Sequence, residues 1–239
     1  MNTQPYWQGI EATDFDSDSI PVLAKSLVSI FEPHSDINKN AYMNWRMDFT
    51  HTRRRRFVIV GQAYFDTAYY MLQECLRDNL DKKADAWIFP ILFHIVHGTE
   101  VYLKAINMSY SVALGKDKKD IQGAHDIKQL CSVARSLIID FKTKHPGDTS
   151  DQLFEAVKVV GNFIENIYKK TSDMTFARYP TQSDKSDHFY IHRPENTVVN
   201  MEELNNQLPI IFHMLDFIFD MPEMFIDDME MVDYYYRRM

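Results

Sequence analysis

Glycine is scarce in this chain, with 7 glycines among 239 residues. All-β proteins use glycine in many short turns, whereas this sequence repeats apolar residues at helical spacing over long stretches. The scarcity of glycine and the helical periodicity together predict an all-α fold. The length is sufficient for one substantial hydrophobic core, or for one domain with appendages.

Positive charge is also in short supply, because 26 Lys and Arg face 34 Asp and Glu and leave a net charge of -8. This balance argues against a protein that binds nucleic acid over a broad basic surface, although it allows a small local basic site. The chain also lacks a Gly-rich phosphate loop and the HExxH and GxSxG patterns. We therefore expect no cofactor, no metal, and no nucleotidyltransferase or hydrolase of those types.

The two cysteines, Cys75 and Cys131, form no CxxC pair and no disulfide framework. Such sparse cysteine usage predicts a cytoplasmic location. Residues 1–19 lack a basic region followed by an apolar run, so we expect no secretory signal. The most apolar stretch, Ala84–Met108, carries several titratable residues, so we expect it not to span a membrane.

The apolar periodicity predicts a single up-and-down helical bundle over residues 51–219. An acidic extension over residues 1–50, with a short helix from Pro21, is predicted to precede the bundle. Residues 220–239 are predicted to form a C-terminal tail. Aromatic and β-branched residues around polar turns predict a small β-hairpin-like insertion near residues 174–200.

Five bundle helices are predicted from the same periodicity and from helix start signals. The first follows the run Arg53–Arg56, and the second covers Ala84–Met108. The third begins near Asp126, the fourth begins after a cap at Ser150, and the fifth runs from Asn200 to Phe219.

The second of these helices is apolar almost all the way round, yet it carries His94, His97, Glu100 and Lys104. At about 100° per residue these four side chains fall within an arc of about 120°. One interpretation is a buried polar network that pins the helix. A second is an acid–base site in which Glu100 orients His97. A third is a metal site made by His94, His97 and Glu100, which the positive charge of Lys104 opposes.

Three segments in order resemble motifs of the HEPN superfamily, the helical-bundle proteins of prokaryotic toxin–antitoxin and anti-phage defence systems. His97–Ala105, HGTEVYLKA, is similar to the HxxELxLKA helix of many members. Gly123–Leu130, GAHDIKQL, resembles their GHDLxxL loop–helix junction, and Phe176–Pro180, FARYP, resembles an fRYP element of one branch. The resemblance covers residues 57–218.

This resemblance implies a dimeric, metal-independent ribonuclease, because many HEPN proteins act in that way. Their Arg-x4-His signature lies late in the chain, whereas the plain match here is Arg46–His51, before the bundle, which we interpret as a coincidence. Two functions therefore stay open. One is an effector that binds and cleaves RNA, and the other is a non-catalytic sensor or scaffold for a protein partner or small ligand. The expected partners are a second copy of the chain, RNA, and an antitoxin or other defence-system protein.

The catalytic candidates are His97, Glu100, Lys104, His125 and Arg178. Asp126 is predicted to cap a helix, and His125 beside it either shares that junction or approaches His97. Arg178 is predicted either to bridge to Glu100 or to helix carbonyls, or to bind phosphate.

The basic run at the start of the first helix supplies the candidates for nucleic-acid binding, namely Arg53, Arg54, Arg55 and Arg56. Four cations at a helix N-terminus oppose the helix dipole, so they do not stabilise the helix locally. They are predicted to be a solvated helix end, or to contact RNA phosphates, a partner, or an acidic segment such as Asp227–Glu230.

Overall fold

The computed structural model describes residues 29–43, 47, 51–116, 125–146, 150–182, 184–191 and 195–236. The chain divides into two units, Met1–Trp45 and Arg46–Met239. In the first unit a 3-10 turn spans Ile37–Lys39, and Asp36 caps it by accepting a hydrogen bond from the Asn38 amide. The helix predicted from Pro21, and Arg46 of the Arg-x4-His match, lie outside the described residues.

Five α-helices build the part of the second unit that the structure describes, which confirms the predicted all-α bundle. Helix α2 contacts α1, α3 and α5, and α4 packs against α3 and α5. The helices are α1, Arg53–Arg77; α2, Ala84–Ala113; α3, Ile127–Lys144; α4, Ser150–Tyr168; and α5, Met201–Tyr236.

Helix α2 forms the centre of the bundle because it is apolar on most of its circumference. Ile91, Ile95, Leu103 and Ile106 are fully or almost fully buried. Each such side chain contributes about 1.5–3 kcal/mol when it leaves water. Among the described residues α2 is the one helix long and apolar enough to cross a membrane by length and composition, a test that core helices also pass.

Helices α1 and α2 cross closely at two glycines. A Cβ atom on Gly61 would lie 2.6 Å from a ring carbon of Tyr102, and one on Gly98 would lie 3.1 Å from the ring of Phe65. Real Cβ atoms essentially never approach as closely as the contact at Gly61, whereas the one at Gly98 would need the Phe65 ring to shift by a few tenths of an ångström. Both rings are buried at this crossing.

Asp126 caps helix α3, as the sequence predicts. Its carboxylate accepts hydrogen bonds from the amides of Lys128 at 2.9 Å and Gln129 at 3.2 Å. The Tyr168 hydroxyl of α4 donates to the same carboxylate at 2.6 Å. The cap therefore also joins the start of α3 to the end of α4.

Helix α5 does not end at Phe219, where the apolar periodicity predicts its end, but continues to Tyr236. The acidic stretch after Phe219 was predicted to lie outside the helix, yet Pro222, Glu223 and Ile226 within it are buried. A proline inside a helix removes one hydrogen bond without necessarily ending it. Tertiary packing of this last part therefore outweighs its local sequence signals.

The predicted hairpin-like insertion is reduced to one antiparallel bridge, between Thr181 and Asp187. A 3-10 turn at Met174–Ala177 precedes it and packs against α2. The Tyr190 hydroxyl donates to the carbonyl of Phe176 at 2.9 Å and fastens the turn. The described residues of this insertion contain no extended strand.

Candidate functional site

Glu100 is the centre of a polar cluster on the side of the bundle, and its side chain is only 11% exposed. Its Oε1 atom lies 2.7 Å from Lys104 Nζ and 2.9 Å from His125 Nδ1. Its Oε2 atom lies 3.4 Å from His97 Nδ1. One carboxylate thus binds an ammonium group and two imidazoles.

The fold positions these groups from two helices. His97, Glu100 and Lys104 are three and four residues apart, so they share one face of α2. His125 comes from the residue before the cap of α3, and Asp126 fixes the backbone at that point. The sequence places the first three together by periodicity, whereas the approach of His125 depends on how α3 packs against α2.

The charge of Glu100 follows from these contacts. Burial acts to raise the pKa of this carboxyl, but the hydrogen bonds with His97, Lys104 and His125 and the charge of Lys104 outweigh burial and lower the pKa to about 2. Glu100 is therefore a permanent anion over the physiological range, and it can hold two histidines in a fixed orientation.

An aromatic wall adjoins the cluster on the side of His97. The His97 ring stacks on Phe93 at 5.5 Å with an interplanar angle of 9°, and Tyr64 meets it edge-on at 4.8 Å. The guanidinium of Arg178 lies 5.8 Å from the centre of the Phe93 ring and 5.5 Å from that of Tyr179. These rings restrict the motion of His97, and Phe93 contacts both His97 and Arg178.

Arg178 does not bridge to Glu100, because no ion pair or hydrogen bond joins them among the described residues. Its partners are the faces of Phe93 and Tyr179 instead. Arg178 is an exposed residue, so its guanidinium can still donate hydrogen bonds to a ligand.

His94 packs within the aromatic wall and, among the described contacts, does not bind the Glu100 carboxylate. Its ring packs against Tyr64 at 5.5 Å and Phe93 at 5.6 Å. Burial, and to a smaller extent the neighbouring His97, lower the pKa of His94, so this ring is held neutral. No group of three or more metal-binding side chains occurs in the part of the chain that the structure describes.

The arginine run is divided between structural and exposed positions. The side chain of Arg54 is 12% exposed, and its Nε atom lies 2.5 Å from the carboxylate of Glu223, which is 2% exposed. Arg55 lies 3.7 Å from Glu223 and 4.0 Å from Asp227. Arg53 is exposed and Arg56 is partly buried. Arg54 therefore joins α1 to α5 and is shielded from an external phosphate.

Sequence reasoning missed Glu223, which also accepts a hydrogen bond from the Ser109 hydroxyl at 2.7 Å. Glu223 is one of several acidic residues in this stretch, so the residue type alone does not show that it is buried or paired with Arg54. The helical offset from Phe219 to Glu223 would have placed both residues on one face, had the helix been extended that far.

A groove of about 280 Å³ between α1 and α5 was also missed. Phe65, Leu208 and Phe212 repeat at helical spacing with the core residues of their helices, and this periodicity does not reveal that part of each apolar stripe remains open. It is lined by Phe65, Asp66, Tyr69, Leu208, Pro209 and Phe212.

Comparison with known proteins identifies no matching family model, no matching curated protein and no matching solved structure.

Proposed function

We propose that this protein is an RNA-acting effector, similar to HEPN proteins of defence or toxin–antitoxin systems, which binds RNA and cleaves it without a metal. One observation carries the proposal: a single buried carboxylate, Glu100, binds the Nδ1 atoms of both His97 and His125. Two histidines oriented by one anion supply the base and the acid that phosphodiester cleavage requires.

The reaction follows from this arrangement. When Nδ1–H of each ring donates to Glu100, Nε2 is the nitrogen available for proton transfer. His125 is 81% exposed and takes the proton of the ribose 2′-hydroxyl, whose oxygen attacks the adjacent phosphorus. The 5′-oxygen of the next nucleotide leaves and takes a proton from His97. The products are a 2′,3′-cyclic phosphate and a free 5′-hydroxyl.

The surrounding cations support binding of a phosphate. Lys104 offsets the charge of Glu100, so the carboxylate does not repel an approaching anion. Arg178 contacts Phe93, the ring on which His97 stacks, and a guanidinium can bind phosphate through two parallel hydrogen bonds. Arg53, which is exposed, and Arg55, whose side chain is 42% exposed, are further candidates for contacts with RNA phosphates.

The test is RNA cleavage by the purified protein in the presence of a metal chelator. Wild type is expected to yield 2′,3′-cyclic phosphate ends, and His125→Gln or His97→Gln is expected to lower the rate by about 100-fold or more. His213→Gln, at an exposed histidine of α5, is the matched control and is expected to keep full activity. No cleavage and no binding across varied RNAs at low salt would overturn the proposal.

A second candidate function is a non-catalytic sensor or scaffold that recognises a protein partner or a small ligand. The open groove between α1 and α5 favours it, since such a groove is a common site for ligands. Recovery of a stable partner from the native host, such as an antitoxin or a second copy of the chain, would support this function. A failure to recover any partner, together with an empty groove in ligand screens, would exclude it.

A further inference from the structure

The groove between α1 and α5 has an aromatic floor. The rings of Phe65, Phe212 and Tyr102 form a triangle with ring centres 5.8 to 6.0 Å apart. Phe65 and Phe212 line the groove, whereas Tyr102 contacts both of these rings and is itself fully buried. Tyr69 of α1 forms a wall and is 41% exposed, so one aromatic face of the groove is accessible from solvent.

Negative charge gathers around this floor. Asp66 lines the groove itself, and Asp216 accepts a hydrogen bond from the Tyr102 hydroxyl at 3.4 Å. Burial and the carboxylates of Asp216, Asp220 and Asp66 raise the pKa of Tyr102, which places all three carboxylates within electrostatic reach of its hydroxyl. Among the described residues, neither Asp66 nor Asp216 forms an ion pair with Lys or Arg.

We propose that this groove binds an organic cation, an amine or guanidinium carried on a flat apolar body. The apolar body would rest on Phe65 and Phe212 and replace water there. The cationic group would lie against Asp66 and the face of Tyr69, because aromatic faces attract cations. The net charge of the chain, -8, further favours the approach of a cation over that of an anion.

This inference deepens the sensor function, on which it rests, and it does not involve the cluster around Glu100. The charge of Asp66 is the feature that separates it from simple apolar binding. A purely apolar groove would bind a neutral ligand of the same shape equally well. A groove that is selective for positive charge would bind the cation more tightly than the neutral ligand, and the anion of the same shape least tightly.

Three probes of one shape test the inference: phenethylammonium, 2-phenylethanol and phenylacetate, titrated into the full chain and followed by backbone amide chemical shifts. Phenethylammonium is expected to bind most tightly, with shifts confined to α1 and α5, and to weaken as salt is added. Asp66→Asn, which keeps the side-chain shape, is expected to weaken it about fivefold while 2-phenylethanol is unaffected. Tyr69→Ala is expected to weaken it about threefold.

Glu155→Gln is the matched control, because it removes one exposed charge from α4, which does not line the groove. Equal binding of the ammonium and the alcohol, or an unchanged affinity in Asp66→Asn, would overturn the proposed charge selectivity but leave an apolar sensor groove in place. Absence of shifts with all three probes would overturn the inference and remove the support that the groove gives to a small-ligand sensor. Each outcome is independent of RNA cleavage.

Discussion

The Nδ1 atom of His125 lies 2.9 Å from Oε1 of Glu100, although 25 residues separate the two in sequence. This contact joins the start of α3 to the middle of α2. It depends on the position of the backbone at the α3 cap, since His125 precedes the capping residue Asp126. The geometry of the candidate site is therefore coupled to the stability of one helix end.

Replacement of Asp126 should weaken that helix end. Asp126→Ala removes the acceptor for the Lys128 and Gln129 amides and for the Tyr168 hydroxyl, and is expected to lower the free energy of unfolding by about 1–2 kcal/mol. Asp126→Asn keeps a capping oxygen, so it is expected to lower the free energy of unfolding by less than Asp126→Ala does. Urea unfolding of both variants measures the difference, and equal losses would argue against the cap as the cause.

Acid should destabilise the fold through Glu100. Its pKa is lowered from 4.5 to about 2, so its contribution to stability is fully present above pH 4.5 and is lost as the pH falls towards 2. The Glu100→Gln variant lacks this titration and should show a smaller loss of stability over that range. Urea unfolding of both proteins between pH 7 and pH 2 gives the comparison, and parallel profiles would contradict it.

A methyl group at Gly61 should be costly. Gly61→Ala places a Cβ atom 2.6 Å from the Tyr102 ring, so we expect a loss of about 1–3 kcal/mol from overpacking, despite the better helix propensity of alanine.

Gly161 in α4 provides the matched control, because its nearest neighbour beyond the helix, the Cys131 sulfur, is 3.9 Å from the Cβ position. Gly161→Ala should therefore stabilise the protein by about 0.5–1 kcal/mol. Thermal unfolding of the two variants should show shifts of opposite sign. Stabilisation by both would mean that α1 and α2 cross less closely than described.

Removal of Arg54 from its buried pair with Glu223 should cost more stability than removal of a partner from any exposed ion pair of the helices. Arg54→Ala leaves a buried carboxylate short of its main partner and is expected to cost about 3–5 kcal/mol. Arg77→Ala, which breaks an exposed pair with Glu74, should cost less than about 1 kcal/mol. Denaturant unfolding compares them, and equal losses would show that Glu223 is solvated after all.

Helix type and three helix starts could be predicted because their signals are local: α2 begins at Ala84, α3 directly after Asp126 and α5 directly after Asn200. Asp126 has the residue type and position of an N-cap, and the stripe of α2 shows that the helix is central. The grouping of His97, Glu100 and Lys104 follows from helical spacing alone. The approach of His125 to the group around His97 was one of two alternatives for this residue. Residue spacing within α2 does not show how α3 packs against it.

The rest depends on contacts between distant parts of the chain. Contact between the arginine run and an acidic segment near Asp227 was one of several alternatives, and Arg55 does lie 4.0 Å from Asp227. The sequence does not identify Glu223, 169 residues away, as the partner of Arg54. The sequence predicts too early an end for α5, because an acidic, proline-containing segment is typical of a tail. Burial of Glu223 and Ile226 against the bundle reverses that local preference.

The extension of α5 beyond Phe219 has a consequence for any shortened form of the protein. A chain cut after Phe219 would lose Glu223, which accepts from Arg54 of the first helix and from Ser109 of the central helix. Both donors would then lie in the interior without their acceptor. Such a fragment would end at a plausible sequence boundary, yet it would lack Glu223, which joins α5 to α1 and α2. Expression trials should therefore retain the chain through Ile226 and beyond.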